Sequence, residues 1–168
     1  MNLTTTIEKC LHNDRSAQRE LYDSYKDNLY TIAYRITGDF NQSSDLLQET
    51  YIEGFKSLKN LKEPKFFYSW IKRILVRKAY SFLKNKKTIV ELDEVKTGQT
   101  ERVDVEYIEQ AILTLPLKSR TVFVMYEIEG FSHKEIAETM NISLGTSKSQ
   151  LSYAKSKLKV QLRPYLEE

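Results

Sequence analysis

Glycine and proline are scarce in this 168-residue chain, with five and three copies. So few turn-formers argue against a strand-rich sandwich and for long helices. Cysteine occurs once, at Cys10, so no internal disulfide can form, which fits a reducing cytoplasm. Histidine occurs only at His12 and His133, so with Cys10 no structural zinc site, and no other metal or cofactor, is expected. There is no apolar run of the roughly 18 residues that a membrane-crossing helix needs. The start, Met1-Asn2-Leu3-Thr4, lacks the basic-then-apolar layout of a signal peptide. The expected location is therefore cytoplasmic, with no direct membrane insertion. What is present is 40% hydrophobic and 29% charged, enough apolar material for a core. Length then bounds the chain to one ordinary domain or two small ones.

The net charge of +3 conceals a block pattern. Residues 1–87 carry 16 Lys/Arg against 10 Asp/Glu, residues 88–109 carry 2 against 7, and residues 110–168 carry 8 against 6. Two basic blocks flanking a short acidic one suggest two modules, an acidic connector and an anionic polymer as partner.

Hydrophobic spacing gives the modules their elements. A short helix is expected around Ile7 and Leu11. Ala17, Leu21, Tyr25, Leu29, Ile32, Ala33 and Ile36 recur at three and four, a long helix from an Asp14 N-cap to a stop at Gly38. A second helix starts near Asn41 or Ser43 and runs to about Leu58, with Leu47, Tyr51, Gly54, Phe55 and Leu58 inward. Pro64 breaks the chain before a third helix from about Phe66 to Lys84. The stretch Asn85–Asp104 has no helical period and reads as a flexible linker, with Thr88-Ile89-Val90 briefly extended. About twenty residues at ~3.5 Å each reach at most ~70 Å. Val105 to Leu113 is helical, and Leu115-Pro116 opens a further helix that ends near Gly130. The fold class is all-α, with two small helical domains joined by a flexible linker: 1–87, a connector over 88–104, and 105–168.

The C-terminal pattern is the most specific. Ser132 with Glu135 three residues on forms a capping box. Ile136, Ala137 and Met140 supply the inner face of a short helix, and Asn141-Ile142-Ser143 turns the chain. Leu144, Ser147, Leu151, Ala154, Leu158 and Leu162 then form the inner stripe of a longer helix. Helix, three-residue turn, helix is the layout of a helix-turn-helix. The outer face carries Thr146, Ser149, Gln150, Ser152, Tyr153, Ser156 and Lys157, and Ser143 to Arg163 holds five Lys/Arg and no acid. Hydroxyls and Gln suit base edges in a major groove, and Lys suits phosphates.

Two further surfaces stand out. Lys59 to Lys87 holds ten Lys/Arg and one acid, Glu63, with Phe66, Phe67, Tyr68, Trp70, Tyr80 and Phe82 interleaved. Ile71, Ile74, Leu75, Ala79 and Phe82 are expected inward, and Arg73, Arg77, Tyr80 and Lys84 outward, with Lys72 at the boundary. Cations beside aromatic rings suit single-stranded nucleic acid, in which bases stack on rings. Phe67 and Trp70 serve equally as core residues on this pattern. In the middle helix, Asp45, Gln48, Glu49 and Ile52 share one face opposite Leu47, Tyr51 and Phe55. No His or Cys lies nearby and no Gly-rich phosphate loop occurs, so catalysis is not indicated. Ile52 amid polar residues reads as an anchor for a protein partner, with a plain solvated face as the alternative.

Taken together, these motifs resemble bacterial RNA polymerase sigma factors of the extracytoplasmic-function (ECF) group, the short form with conserved regions 2 and 4. The carrying residues are Leu21-Tyr22-x-x-Tyr25, Ala33-Tyr34-Arg35-Ile36-Thr37-Gly38-Asp39, Asp45-Leu46-Leu47-Gln48-Glu49-Thr50-Tyr51 and Phe67-Tyr68-Ser69-Trp70-Ile71-Lys72-Arg73-Ile74. In the C-terminal part they are Leu115-Pro116, Glu129-Gly130-Phe131-Ser132, Glu135-Ile136-Ala137 and Leu144-Gly145-Thr146. Residues 17–87 resemble region 2 and residues 105–163 resemble region 4.

The resemblance implies that Asp45, Gln48, Glu49 and Ile52 dock on the β′ clamp helices of core RNA polymerase, and that the second domain meets the β flap. It implies that Phe67, Trp70, Lys72, Arg73 and Arg77 capture the −10 promoter element, and that Thr146, Lys148, Ser149, Gln150, Ser152 and Tyr153 face the −35 element. It further implies an anti-sigma factor as partner, no small-molecule substrate and no enzymatic activity of its own. Arg77 stands where the family usually has Asn, and Lys148, Gln150 and Tyr153 stand where Arg is common. With fewer bidentate guanine contacts, weak DNA binding by the isolated chain is expected. The rival reading is a conventional helix-turn-helix regulator that binds duplex DNA without contacting polymerase core.

Overall fold

A computed structural model describes residues 1–89 and 105–166. Every regular element among the described residues is helical. The α-helices are α1 (Leu3–Leu11), α2 (Arg15–Thr37), α3 (Phe40–Ser57), α4 (Phe67–Ile89), α5 (Val105–Leu113), α6 (Leu117–Phe123), α7 (His133–Met140) and α8 (Leu144–Leu166), and short 3-10 turns stand at Leu58–Asn60 and Pro64–Phe66. The chain forms two compact units that divide between Ala79 and Tyr80, inside α4. Of the expected connector, 88 and 89 extend α4 and 90–104 lie outside the described residues. The helix outlasts its expected end at Lys84. Lys84 and Lys86 near its C-terminus complement the negative end of the helix dipole.

In the first unit, side-chain caps set the helix starts. Asp14 Oδ1 accepts from the Ala17 N–H at 3.0 Å, opening α2. Gly38, at φ 69°, ends it in the left-handed conformation, which glycine adopts without a Cβ clash. Asp39 follows at once and its Oδ1 accepts from the Gln42 N–H at 2.8 Å, so α3 begins at Phe40, earlier than the sequence suggested. The two-residue corner is fastened by Ser43, fully buried, whose Oγ donates to Asp39 O at 2.6 Å. Leu21, Leu29, Ile32, Ala33 and Ile36 of α2 are buried, as are Leu46, Leu47 and Tyr51 of α3 and Ile71, Ile74, Leu75 and Val76 of α4. Gly54 brings α3 against α4: a Cβ there would stand 2.5 Å from Ile71 Cδ1 and 3.9 Å from Trp70 Cζ3.

Two expectations for α4 reverse. Tyr80 is buried and Phe82 is exposed, although the sequence placed them outward and inward. The buried side of α4 is broad, taking in Val76 and Tyr80 as well as Ile71 and Leu75. A stripe of five residues read at helical spacing underestimates such a face.

In the second unit, Arg120 caps α5 from a distance: its Nη1 donates to Leu113 O at 2.7 Å and to Leu115 O at 3.3 Å. Burial lowers the pKa of its guanidinium. After α6 the chain widens into a π turn, Val124–Ile128, and then passes Gly130 at φ 72°. Ala111, Ile112, Val122, Met125, Ile136, Met140, Leu151, Ala154 and Leu158 form the core. Tyr107 of α5 and Thr114, just past its end, reach the far part of α8, where the Tyr107 hydroxyl donates to Gln161 O at 3.3 Å.

Candidate nucleic-acid and partner interfaces

The helix-turn-helix is built as its residues dictate. Ser132 Oγ accepts from the Glu135 N–H at 3.2 Å, and Glu135 Oε2 accepts from the Ser132 N–H at 2.8 Å, closing the capping box. Asn141 ends α7 at φ 53°, a left-handed position that Asn tolerates. Ser143 Oγ accepts from the Thr146 N–H at 3.0 Å and so caps α8. Of the expected duplex-facing residues, Lys148, Ser149, Ser152 and Tyr153 are exposed, while Thr146 and Gln150 are half-buried. Lys157 Nζ sits 5.5 Å from the Tyr153 ring centre. Leu144, expected inward, is exposed, because the first residue of α8 precedes the crossing with α7. Ala137, expected on the inner face, is half-buried.

The crossing has a polar pin that the spacing of residues did not reveal. His133 Nδ1 lies 2.9 Å from Ser147 Oγ, and Ser147 is fully buried. The His133 ring stacks on Tyr126 with centroids 4.4 Å apart. Ser147 falls on the apolar stripe of α8 in the sequence. A hydroxyl on such a stripe, in a protein with only two histidines, was the available signal.

On α3 the four expected partner-facing residues come together. Asp45, Gln48, Glu49 and Ile52 are all exposed, and Ile52 keeps 55% of its surface open. Burying that side chain against a partner stabilises a complex by roughly 1–2 kcal/mol.

On α4 the expected strand-binding set splits. Phe67 is 1% exposed, packs near Tyr25 and Trp70, and is a core residue with no face for a base. Lys72 is 7% exposed, with Nζ 4.5 Å from the Tyr68 ring centre, so it too points inward. Both fall on the broad buried side described above. At about 3.6 residues per turn, Trp70, Arg73, Arg77 and Lys84 share the opposite side. Arg77 and Lys84 are exposed, Arg73 is half-buried, and Trp70 is half-buried beside Gly54. The ring that sequence reasoning passed over is Phe66, 48% exposed, with Lys65 Nζ 4.9 Å from its centre. Phe66 closes the 3-10 turn Pro64–Phe66 that leads into α4, and a second aromatic beside Lys65 in the basic stretch was the signal for it.

The cations of α4 are not all open. Arg77 Nη2 pairs with Glu53 Oε1, and Lys78 Nζ pairs with Glu53 Oε2 at 2.8 Å. Lys78 Nζ also stands 3.9 Å from Glu49 Oε2. The hydrogen bond from Lys78, then the attraction of both cations, holds the Glu53 carboxyl below its ordinary pKa.

Elsewhere the chemistry is quiet. Cys10 is buried and its thiol is pushed up to about 11, by burial first and then by Asp14 and Glu20, so it is packing material at neutral pH. No His/Cys/Asp/Glu group among the described residues has the makings of a metal site. No described helix is long and apolar enough to cross a membrane.

Comparison with known proteins assigns both halves. Residues 21–89 match the Sigma-70 region 2 family, and residues 105–158 match Sigma-70, region 4. The chain is 28% identical over 183 aligned positions to the ECF RNA polymerase sigma factor SigW of Bacillus subtilis, covering 97% of this chain and 98% of that protein. It is 29% identical over 160 positions to the ECF RNA polymerase sigma factor SigE of Mycolicibacterium smegmatis, covering 88% of this chain and 60% of that protein. Its fold resembles the sigma factor RpoE of Bartonella quintana, solved with the anti-sigma factor NepR, at a TM-score of 0.67 and 19% identity over 86% of this chain and 96% of that one.

Proposed function

The chain belongs to the ECF RNA polymerase sigma factors, and on that footing we propose how its surfaces divide the work of promoter recognition. As a sigma factor it binds core RNA polymerase and promoter DNA and directs the enzyme to its start sites. A conventional regulator would have no use for a region 2 match over residues 21–89.

In our assignment, Asp45, Gln48, Glu49 and Ile52 hold the polymerase clamp helices. Phe66, Trp70, Arg73 and Arg77 receive the melted −10 strand, with rings for bases and cations for phosphates. Extruding a base costs a few kcal/mol, which such contacts offset. Lys148, Ser149, Gln150, Ser152 and Tyr153 read the −35 duplex, with Thr146 at the start of the helix. The first domain spans 1–87 and the second 105–168, and the acidic stretch 88–104 tethers them. The chain supplies no catalytic group, acts in the cytoplasm, and is held in check by an anti-sigma protein.

The observation that supports the docking assignment is exposure. Asp45, Gln48, Glu49 and Ile52 lie open along one side of α3 while Leu46, Leu47, Thr50 and Tyr51 fill the core. Reversing the charge at Asp45 and Glu49 together (D45K with E49K) is expected to abolish co-purification with core polymerase while circular dichroism stays unchanged. Retained co-purification would refute this docking face.

A further inference from the structure

The ion pairs that tie α4 to α3 have a consequence for DNA binding. Arg77 lies on the outer side of α4 and its side chain is 54% exposed, yet its guanidinium is engaged by Glu53. The same carboxylate takes Lys78, which Glu49 also approaches. Two cations therefore face two carboxylates, and the local charge sums to zero within a few ångströms. That is well inside the ~8 Å over which salt screens exposed charges. A phosphate arriving here exchanges one ion pair for another and gains little.

We infer that Glu53 sets how strongly the outer side of α4 binds single-stranded DNA, by occupying Arg77 and Lys78 in the free chain. This rests on the strand-binding assignment above. Glu53 is not a contact residue for DNA in this account; it acts through Arg77 and Lys78. It opposes capture until the stronger, multipoint contacts of a polymerase-held promoter displace it. The chain thereby avoids stray single strands without giving up the cations it needs at a promoter.

Exposed ion pairs contribute modestly, so the effect is graded. Glu53→Gln keeps the shape and removes the charge. It is expected to raise affinity for single-stranded DNA roughly two- to five-fold at low salt. The dependence of log K on log salt should steepen by about 0.7 for one cation released and about 1.4 for both.

The test uses the full chain and a fluorescein-labelled, mixed-sequence single-stranded oligonucleotide, read by anisotropy across a salt series. Removing one negative charge favours any polyanion, so Glu53→Gln is also measured in an Arg77→Gln, Lys78→Gln background. The inference predicts a gain and a steeper slope in the wild-type background and neither in the doubly substituted one. An equal gain in both backgrounds, or no gain in a chain that binds, overturns the role of Glu53 and leaves the strand-binding surface standing. No binding by any variant at the lowest salt overturns both. Circular dichroism confirms that each variant keeps its helices. If Glu53→Gln does not fold, Glu53→Ala gives the same reading, because it too removes the carboxylate that occupies Arg77 and Lys78. It should then bind more tightly than wild type at low salt, and weaker binding refutes the inference.

Discussion

At Gly54 a missing methyl group decides how near two helices come. A Cβ would lie 2.5 Å from Ile71 Cδ1, so the end of that fully buried side chain would have to shift within the core. Overpacking of this kind costs about 1–3 kcal/mol, partly offset by the better helix propensity of alanine. Gly54→Ala is therefore expected to lower stability by about 1–2 kcal/mol, measured by urea denaturation. A neutral or stabilising effect would mean that α3 and α4 are not so close. The same approach carries Trp70, whose ring edge faces Gly54. Trp70→Ala should impair open-complex formation, followed by permanganate reactivity of unpaired thymines, more than closed-complex binding. Equal loss in both would make Trp70 a packing residue. Phe67 shows what sequence leaves undecided at this scale. Two adjacent phenylalanines stand where a 3-10 turn passes into α4, and only the folded chain buries Phe67, which opens the helix, and exposes Phe66, which ends the turn.

At the scale of the element, the helices were legible wherever local chemistry sets them. Asp14, Ser132, Glu135 and Ser143 each do in the structure what their side chains suggest, and Gly38 does what its lack of one allows. Their bonds span only three or four residues, so the sequence contains all the information needed. The faces of α3 were equally plain, because its buried and exposed sides alternate cleanly along the helix. Helix α4 was harder. Its buried side is wide enough to take Lys72 and Tyr80, and periodicity cannot say how wide a groove the neighbouring helices leave. The His133–Ser147 bond and the Glu53 pairs were illegible for a related reason. Each joins positions distant in sequence, 14 apart for the first and 24 for Glu53 and Arg77, and the misplaced hydroxyl of Ser147 marks one end of the first without naming its partner. Helix α8 carries its own prediction. Lys148 is exposed and Gln150 half-buried on the outer side, so exchanging the two residues should change the preferred −35 bases in a selection from randomised duplexes. An unchanged preference would show that they only line the groove.

At the scale of the whole molecule, charge is distributed by task. The two basic blocks contain the surfaces assigned to DNA, and the acidic stretch between them repels the same polyanion. On each block the cations are few or partly engaged: five Lys/Arg from Ser143 to Arg163, and two α4 cations shared with α3 carboxylates. Weak surfaces that add up only when held in register are what a subunit of a larger enzyme needs. On this assignment such a chain is expected to ignore most DNA by itself and to become selective when polymerase fixes both surfaces over one promoter. The most direct test is run-off transcription by core RNA polymerase on a promoter library randomised in two windows, with and without the full chain. The account predicts transcripts that depend on the chain and come from templates sharing two short elements at fixed spacing. Identical transcripts with and without it, or a chain that selects its duplex at full affinity with no polymerase present, would contradict it.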